Sequence, residues 1–142
     1  NKRGLKAAPF MGEKMYENLF QPAIIVSSPA KRAKQTAVLV KESAQMSKQI
    51  IYDERIYEAS PFQLLQVISE LDSRKDSAMI IGHNPGLEGL IKLLSGENLI
   101  MPTAALAVID LEIENWNEIA ANRGKLRILI RPKDEMKSFG AN

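Results

Sequence analysis

The chain contains no cysteine. Disulfides, thiol catalysis and a cysteine-ligated zinc site are therefore excluded. The lack of disulfides fits a reducing compartment, and a cytoplasmic location is the expectation. Charge of one sign is scarce too. Nineteen Lys and Arg stand against 17 Asp and Glu, leaving +2. That is too small a surplus, with no basic stripe, to argue for a nucleic-acid partner. No apolar run approaches the ~18–20 residues that a membrane span needs, and no signal peptide is visible, so no membrane partner is expected. Internal repeats, low-complexity tracts and linkers are absent. Histidine is present once, as His83. The chain opens at Asn1 with no methionine, which predicts that the natural protein has residues upstream.

What is present suits one globular domain: 142 residues, 45% of them hydrophobic, enough for a proper core. The most informative stretch is Ile80-Ile81-Gly82-His83-Asn84-Pro85-Gly86-Leu87. An apolar run from Ala78 to Ile81 stops at Gly82. Leu87, Leu90, Ile91 and Leu94 then follow at helical spacing. The pattern predicts buried strand, tight turn and helix. Asn84 is the expected N-cap and Pro85 the first helical residue. His83 then lies at the carboxyl end of a strand, where open α/β sheets bind ligands, beside helix amides that favour anions.

The same grammar occurs earlier. Ala23 to Val26 is a short β-branched run, predicted as a buried strand. Ser27-Ser28-Pro29 follows, with Ser28 as the expected cap of a helix reaching about Gln45. Two such junctions predict two helix N-termini facing one site. Between them, Gln49 to Tyr52 is a strand candidate, and Asp53 to Ser60 a loop. A helix capped by Ser60 opens at Pro61. Upstream, Ala7, Ala8, Met11, Met15 and Leu19 mark one apolar helical face. Pro9 predicts that this helix starts near Leu5 to Ala8. Downstream, Gly96 is the expected C-cap. Strand-like runs at Ala104 to Leu111 and Leu126 to Ile130 predict an antiparallel pair. The charged tail from Pro132 is expected to fray. The fold class is α/β, with a mainly parallel sheet and an antiparallel tail.

Several residues are chemically eligible, and each has a plain alternative. Arg32 sits in the first turn of its helix, against the dipole. An anion between its guanidinium and the free amides removes that opposition, and the planar fork suits phosphate. Otherwise Arg32 is a solvated neighbour of Lys31 and Lys34. His83 is either a proton carrier, nucleophile or anion ligand, or a structural hydrogen-bonder in a turn. Glu58 and Glu54 are eligible general acids near an anion site, or solvated carboxylates. Ser27, Ser28 and Thr103 are eligible hydroxyl donors or turn residues. Asn84 is foremost a cap. One histidine, no cysteine and no suitably spaced carboxylate argue against a metal.

In combination these segments are more specific. Ser27-Ser28-Pro29-Ala30-Lys31-Arg32-Ala33-Lys34-Gln35-Thr36-Ala37 resembles the Ser-Ser-Pro/Arg/Gln-Thr-Ala segment of the histidine phosphatase (phosphoglycerate mutase-like) superfamily. Gly82-His83-Asn84-Pro85-Gly86 resembles its second-histidine segment, in the form found in SixA-type phosphohistidine phosphatases. Asn1-Lys2-Arg3-Gly4 is similar to the segment before the first long helix of that branch. The likeness runs from Asn1 to about Leu111.

The resemblance implies a three-layer α/β/α sandwich and metal-free phosphoryl transfer through a phosphohistidine, with no cofactor. It implies catalytic roles for His83, Arg32 and Glu58, and phosphate binding by Arg32, His83, Asn84 and Ser28. The implied substrate is a phosphorylated protein or a small phosphate compound, and short loops around the site favour the former. The family's nucleophilic histidine follows the first strand, in an arginine-histidine motif absent from these 142 residues. The expectation is a single domain over 1–142 that is N-terminally incomplete and inactive alone, its nucleophile upstream of Asn1. The competing expectation is an inactive phosphate- or phosphoprotein-binding module. The oligomeric state is left open.

Overall fold

The computed structural model describes residues 2–132; of the tail expected to fray, Pro132 is fully buried and residues 133–142 lie outside the described residues. Four α-helices and five strands alternate along it. They are α1 (Lys2–Glu17), β1 (Ile24–Ser27), α2 (Lys31–Ser43), β2 (Ile50–Tyr52), α3 (Pro61–Ser69), β3 (Ala78–Ile81), α4 (Gly86–Ser95), β4 (Leu106–Leu111) and β5 (Gly124–Ile130). Short 3₁₀ turns occupy Glu54–Ile56 and Trp116–Glu118. No described helix is long and apolar enough to cross a membrane.

Strands β2, β1 and β3 form a parallel sheet in that order. β1 is the middle strand, and its residues are buried throughout, as the run Ile24-Ile25-Val26 requires. Pleating sends Ile24 and Val26 to one face and Ile25 to the other. The first face meets Leu64, Val67 and Ile68 of α3 and Leu90 and Leu94 of α4. The second meets Ala8 and Met15 of α1 and Val40 of α2. Helices thus cover both faces, giving three α/β/α layers.

β4 and β5 form a separate antiparallel pair. β4 lies in the same layer as β3, because Leu106 packs with the α1–α2 side and Ile109 and Leu111 with the α3–α4 side. Its direction opposes that of β3. Asn84 Nδ2, past the carboxyl end of β3, donates to the Met101 carbonyl ahead of β4 at 2.6 Å. Trp116 Nε1, after β4, donates to the Lys75 carbonyl ahead of β3 at 2.9 Å.

Four details depart from the sequence expectations. Pro9 lies inside α1, not in its first turn. Burial of Ala7, Ala8, Met11 and Met15 on one face holds the helix together across the missing N–H. Leu19, expected on that face, is 84% exposed, because the helix ends at Glu17 and Leu19 takes a positive φ. Helix α2 starts later than expected, with Ala30 as N-cap and no side-chain cap bond; the Ser28 hydroxyl is held elsewhere. Helix α4 likewise takes Pro85 as its N-cap residue. Ser60 behaves as expected, forming a reciprocal capping box with Gln63, and Gly96 is the left-handed C-cap of α4.

Helix α1 crosses α2 closely at Gly12. A Cβ there would sit 2.5 Å from Ser43 Cβ and 2.7 Å from the Val40 carbonyl oxygen. Alanine gains about 1 kcal/mol of helix propensity over glycine. Overpacking against a backbone oxygen costs about 1–3 kcal/mol, and the clash should win. Gly12→Ala is expected to lower the urea midpoint, by about 1 kcal/mol in stability. A raised midpoint would show that the two helices separate freely.

The turn after β2 is fastened by Arg55, which contacts Asp53 at 2.8 Å and Glu70 at 3.0 Å. Hydrogen bonding to Arg55 holds both carboxyls below their ordinary values of 3.8 and 4.5. A carboxyl with a depressed folded pKa stabilises the fold above its unfolded value. That contribution is lost as pH falls through the folded value. Wild type and Arg55→Met should therefore differ by a constant amount above about pH 5, and converge below about pH 4. Urea midpoints across that range test this; a difference that persists undiminished at low pH would assign the role of Arg55 to packing alone.

Candidate functional site

The site is assembled by the parallel register of β1 with β3. Ser27 pairs with Ile81, and the Ser28 N–H donates to the Ile81 carbonyl at 2.9 Å. The ladder thus runs one residue past β1 and sets Ser28 beside the turn holding His83. Ser28 Oγ and His83 Nε2 are 2.8 Å apart. Both serines are fully buried. Ser27 Oγ donates to the Ser28 carbonyl at 2.9 Å, and Ser28 Oγ accepts from the Ala30 N–H at 3.2 Å. A hydroxyl has one donor and two acceptor positions. With Ala30 on one lone pair, Ser28 can donate to a neutral imidazole or accept from an imidazolium. His83 therefore keeps this partner in either protonation state.

His83 is half-buried. The ring of Tyr57 meets it edge-on, at 5.7 Å between centroids and 89° between planes. Tyr57 is itself 54% exposed, so it forms an outer wall of the site. Its place depends on Gly86, where a Cβ would sit 2.3 Å from the Ala59 carbonyl oxygen. Only a bare backbone lets the start of α4 approach the 57–59 loop this closely. Glu58 is exposed, in the same loop, with a positive φ of 50°.

Arg32 is exposed in the first turn of α2. Among the described residues it joins no ion pair. Lys34, nearby, lies 5.1 Å over the Tyr52 ring. The start of α2 lacks a side-chain cap, so its first-turn amides remain available beside the guanidinium. The start of α4 is more occupied. Its Leu87 N–H donates to the His83 carbonyl at 3.0 Å, and its Glu88 N–H to Asn84 Oδ1 at 3.3 Å. Of the two helix N-termini expected to face a ligand, α2 is thus the more open one.

The structure joins Ser28 and His83 directly, places Arg32 one turn beyond Ser28, and puts Glu58 next to the residue that walls His83. Both polar groups of Asn84 are engaged: its amide donates to the Met101 carbonyl, and its oxygen accepts the Glu88 N–H in the first turn of α4. Gly86 belongs to the Gly82–Gly86 segment that carried the resemblance, but its packing role, and that of Tyr57, had no signal in the sequence. A loop tyrosine and a first-turn glycine are ordinary residues until the contacts they make are seen. Among the described residues, no group of three His, Asp or Glu is placed to hold a metal ion.

Three solved structures share this fold. A candidate phosphohistidine phosphatase SixA from Agrobacterium tumefaciens matches with a TM-score of 0.79 and 26% identity, over 93% of this chain and 82% of that one. The protein histidine phosphatase SixA complexed with tungstate matches at 0.74 and 18%, over 90% and 80%. A candidate phosphohistidine phosphatase SixA from Nakamurella multipartitia matches at 0.78 and 18%, over 93% and 83%. No protein-family model and no curated relative matches the chain by sequence. In fold the chain is similar to SixA phosphohistidine phosphatases, as the Ser27–Ala37 and Gly82–Gly86 segments lead one to expect.

Proposed function

We propose that the chain is the charge-stabilising part of a phosphatase. Its substrate is a phosphohistidine in a protein, or a small phosphate compound. The observation that carries the proposal is the buried Ser28 hydroxyl 2.8 Å from His83 Nε2, at the start of the helix bearing Arg32. In this reading the imidazole held by Ser28, the Arg32 guanidinium and the uncapped amides of α2 act together at one end of the parallel sheet. Such groups stabilise charge developing on a transferring phosphoryl group. The tungstate complex of one structural neighbour supports an oxyanion as ligand.

In this reading a histidine upstream of Asn1 supplies the nucleophile, and residues 1–142 are one domain that it completes. Its nitrogen forms a bond to phosphorus as the P–N or P–O bond of the substrate breaks. Glu58 or His83 gives the leaving group its proton. Water then attacks phosphorus, cleaves the enzyme phosphohistidine and releases inorganic phosphate. Arg32, His83 and the α2 amides hold the oxygens throughout, and Ser28 keeps the imidazole in place. The reaction uses no metal or cofactor, and the cytoplasm is the proposed location. The single histidine in 142 residues supports a second reading, a module that binds phosphate or a phosphoprotein without turnover.

Titration with tungstate tests the site, and phosphorylation tests the chemistry. Charge-assisted hydrogen bonds contribute about 1.5–3 kcal/mol each, or about 10–100-fold in affinity. Arg32→Ala and His83→Ala are each expected to lose that much tungstate affinity. Ser28→Ala is expected to lose about 3–10-fold, since it acts through the imidazole. Unchanged affinity in both Arg32→Ala and His83→Ala would remove the site. A phosphorylated histidine is expected only in a polypeptide with the upstream segment. Turnover by residues 1–142 alone would overturn the division of roles, and a longer chain that binds tungstate but never becomes phosphorylated would establish the binding module.

A further inference from the structure

His83 has a filled side and an open side. On the filled side Ser27 and Ser28 are fully buried, and Ser28 Oγ lies 2.8 Å from His83 Nε2. On the open side stands Tyr57, 54% exposed. Among the described residues, neither the Tyr57 hydroxyl nor His83 Nδ1 has a hydrogen-bond partner in the protein. Protein atoms close off the Ser28 side. A phosphoryl group held by His83 and Arg32 would therefore direct its leaving group outward, along the Tyr57 wall.

That wall has a free flat face. The Tyr57 and His83 rings meet at 89°. In a perpendicular pair one ring offers an edge and the other a face. At least one face of Tyr57 is thus left uncovered by His83. The wall is also held from both sides. Its neighbours Ile56 and Ala59 are buried, and its own N–H donates to the Glu54 carbonyl at 3.1 Å. Arg55 ties the same turn to Glu70, after α3, at 3.0 Å. A tyrosine has only two side-chain torsions, so little entropy is lost when it is held against a ligand.

We propose that Tyr57 is a specificity-determining residue, the platform on which a flat ring bonded to the phosphoryl group stacks. It selects a phosphoryl group carried on a planar ring, such as an imidazole, over one carried on a saturated carbon. The inference rests on the proposed function, since it needs an oxyanion held at His83 and Arg32. Offset stacking of two rings adds about 2–10-fold in affinity beyond the apolar area it buries. A saturated group of the same size buries similar area but has no flat π-face to stack. Glu58 is the next residue of the loop and is exposed. A ring stacked on Tyr57 would therefore lie along the loop that carries the proposed proton donor.

Two phosphonates that cannot be hydrolysed test this by calorimetry on the full chain. Phenylphosphonate carries a flat ring, and cyclohexylphosphonate a puckered and more apolar one of the same size. Both are compared at equal ligand charge. Wild type is expected to bind phenylphosphonate about 2–10-fold more tightly. Tyr57→Phe should keep that preference, and Tyr57→Leu, apolar but not flat, should abolish or reverse it. Each variant supplies its own ratio, so a general loss of affinity does not imitate the effect. Equal binding of the two ligands by wild type, or a preference that survives in Tyr57→Leu, overturns the proposal. A wild type that binds tungstate but neither phosphonate also overturns it, and leaves the oxyanion site standing. Failure of wild type to bind tungstate refutes the oxyanion site itself, and the Tyr57 platform falls with it.

Discussion

The parallel register of β1 on β3 is the constraint on which the site depends. Pairing Ser27 with Ile81 brings two turns, 55 residues apart in sequence, to within hydrogen-bond distance. A shift of one residue would turn Ile24 and Val26 from the α3–α4 face to the α1–α2 face. The two separate apolar clusters behind these faces exclude that shift. Core packing thus sets the register, and the register sets the distance between Ser28 and His83. Because both serines are fully buried, their hydroxyls must find partners inside the protein. The chain from Ser27 to the Ser28 carbonyl, and from Ser28 to His83 and Ala30, satisfies them. Stability and pre-organisation of the imidazole are here one requirement.

Local chemistry made much of this legible from sequence. The strand–turn–helix junctions at Ser27-Ser28-Pro29 and Gly82-His83-Asn84-Pro85, the capped helix at Ser60 and the C-cap at Gly96 depend on residues within one turn of each other. Turn and capping preferences act over that range. Features set by distant contacts were not legible. Ser28 was expected to cap α2, but its hydroxyl belongs to a neighbour 55 positions away. Asn84 was expected to cap α4, and its Oδ1 does accept the Glu88 N–H of the first turn, but the bond from its amide to the Met101 carbonyl comes from a distant contact. Tyr57 as the wall of His83, and Gly86 as the reason the wall can approach, follow from the tertiary fold alone. Pro9 shows the reverse case, a strong local breaker overruled by burial of the helix face around it.

On the proposed reading, oxyanion binding and turnover make different demands on the protein. Charge stabilisation needs only groups held in fixed positions. On that reading the groups are His83 on Ser28, Arg32 and the uncapped start of α2, and they are anchored by β1, β3 and the helices packed on them. A nucleophile has a stricter requirement, because its attacking atom must lie within about 3–3.5 Å of phosphorus and in line with the leaving group. His83 and Ser28 already have a fixed relation, set by the β1–β3 ladder, so the placement of the nucleophile is what decides between turnover and binding alone.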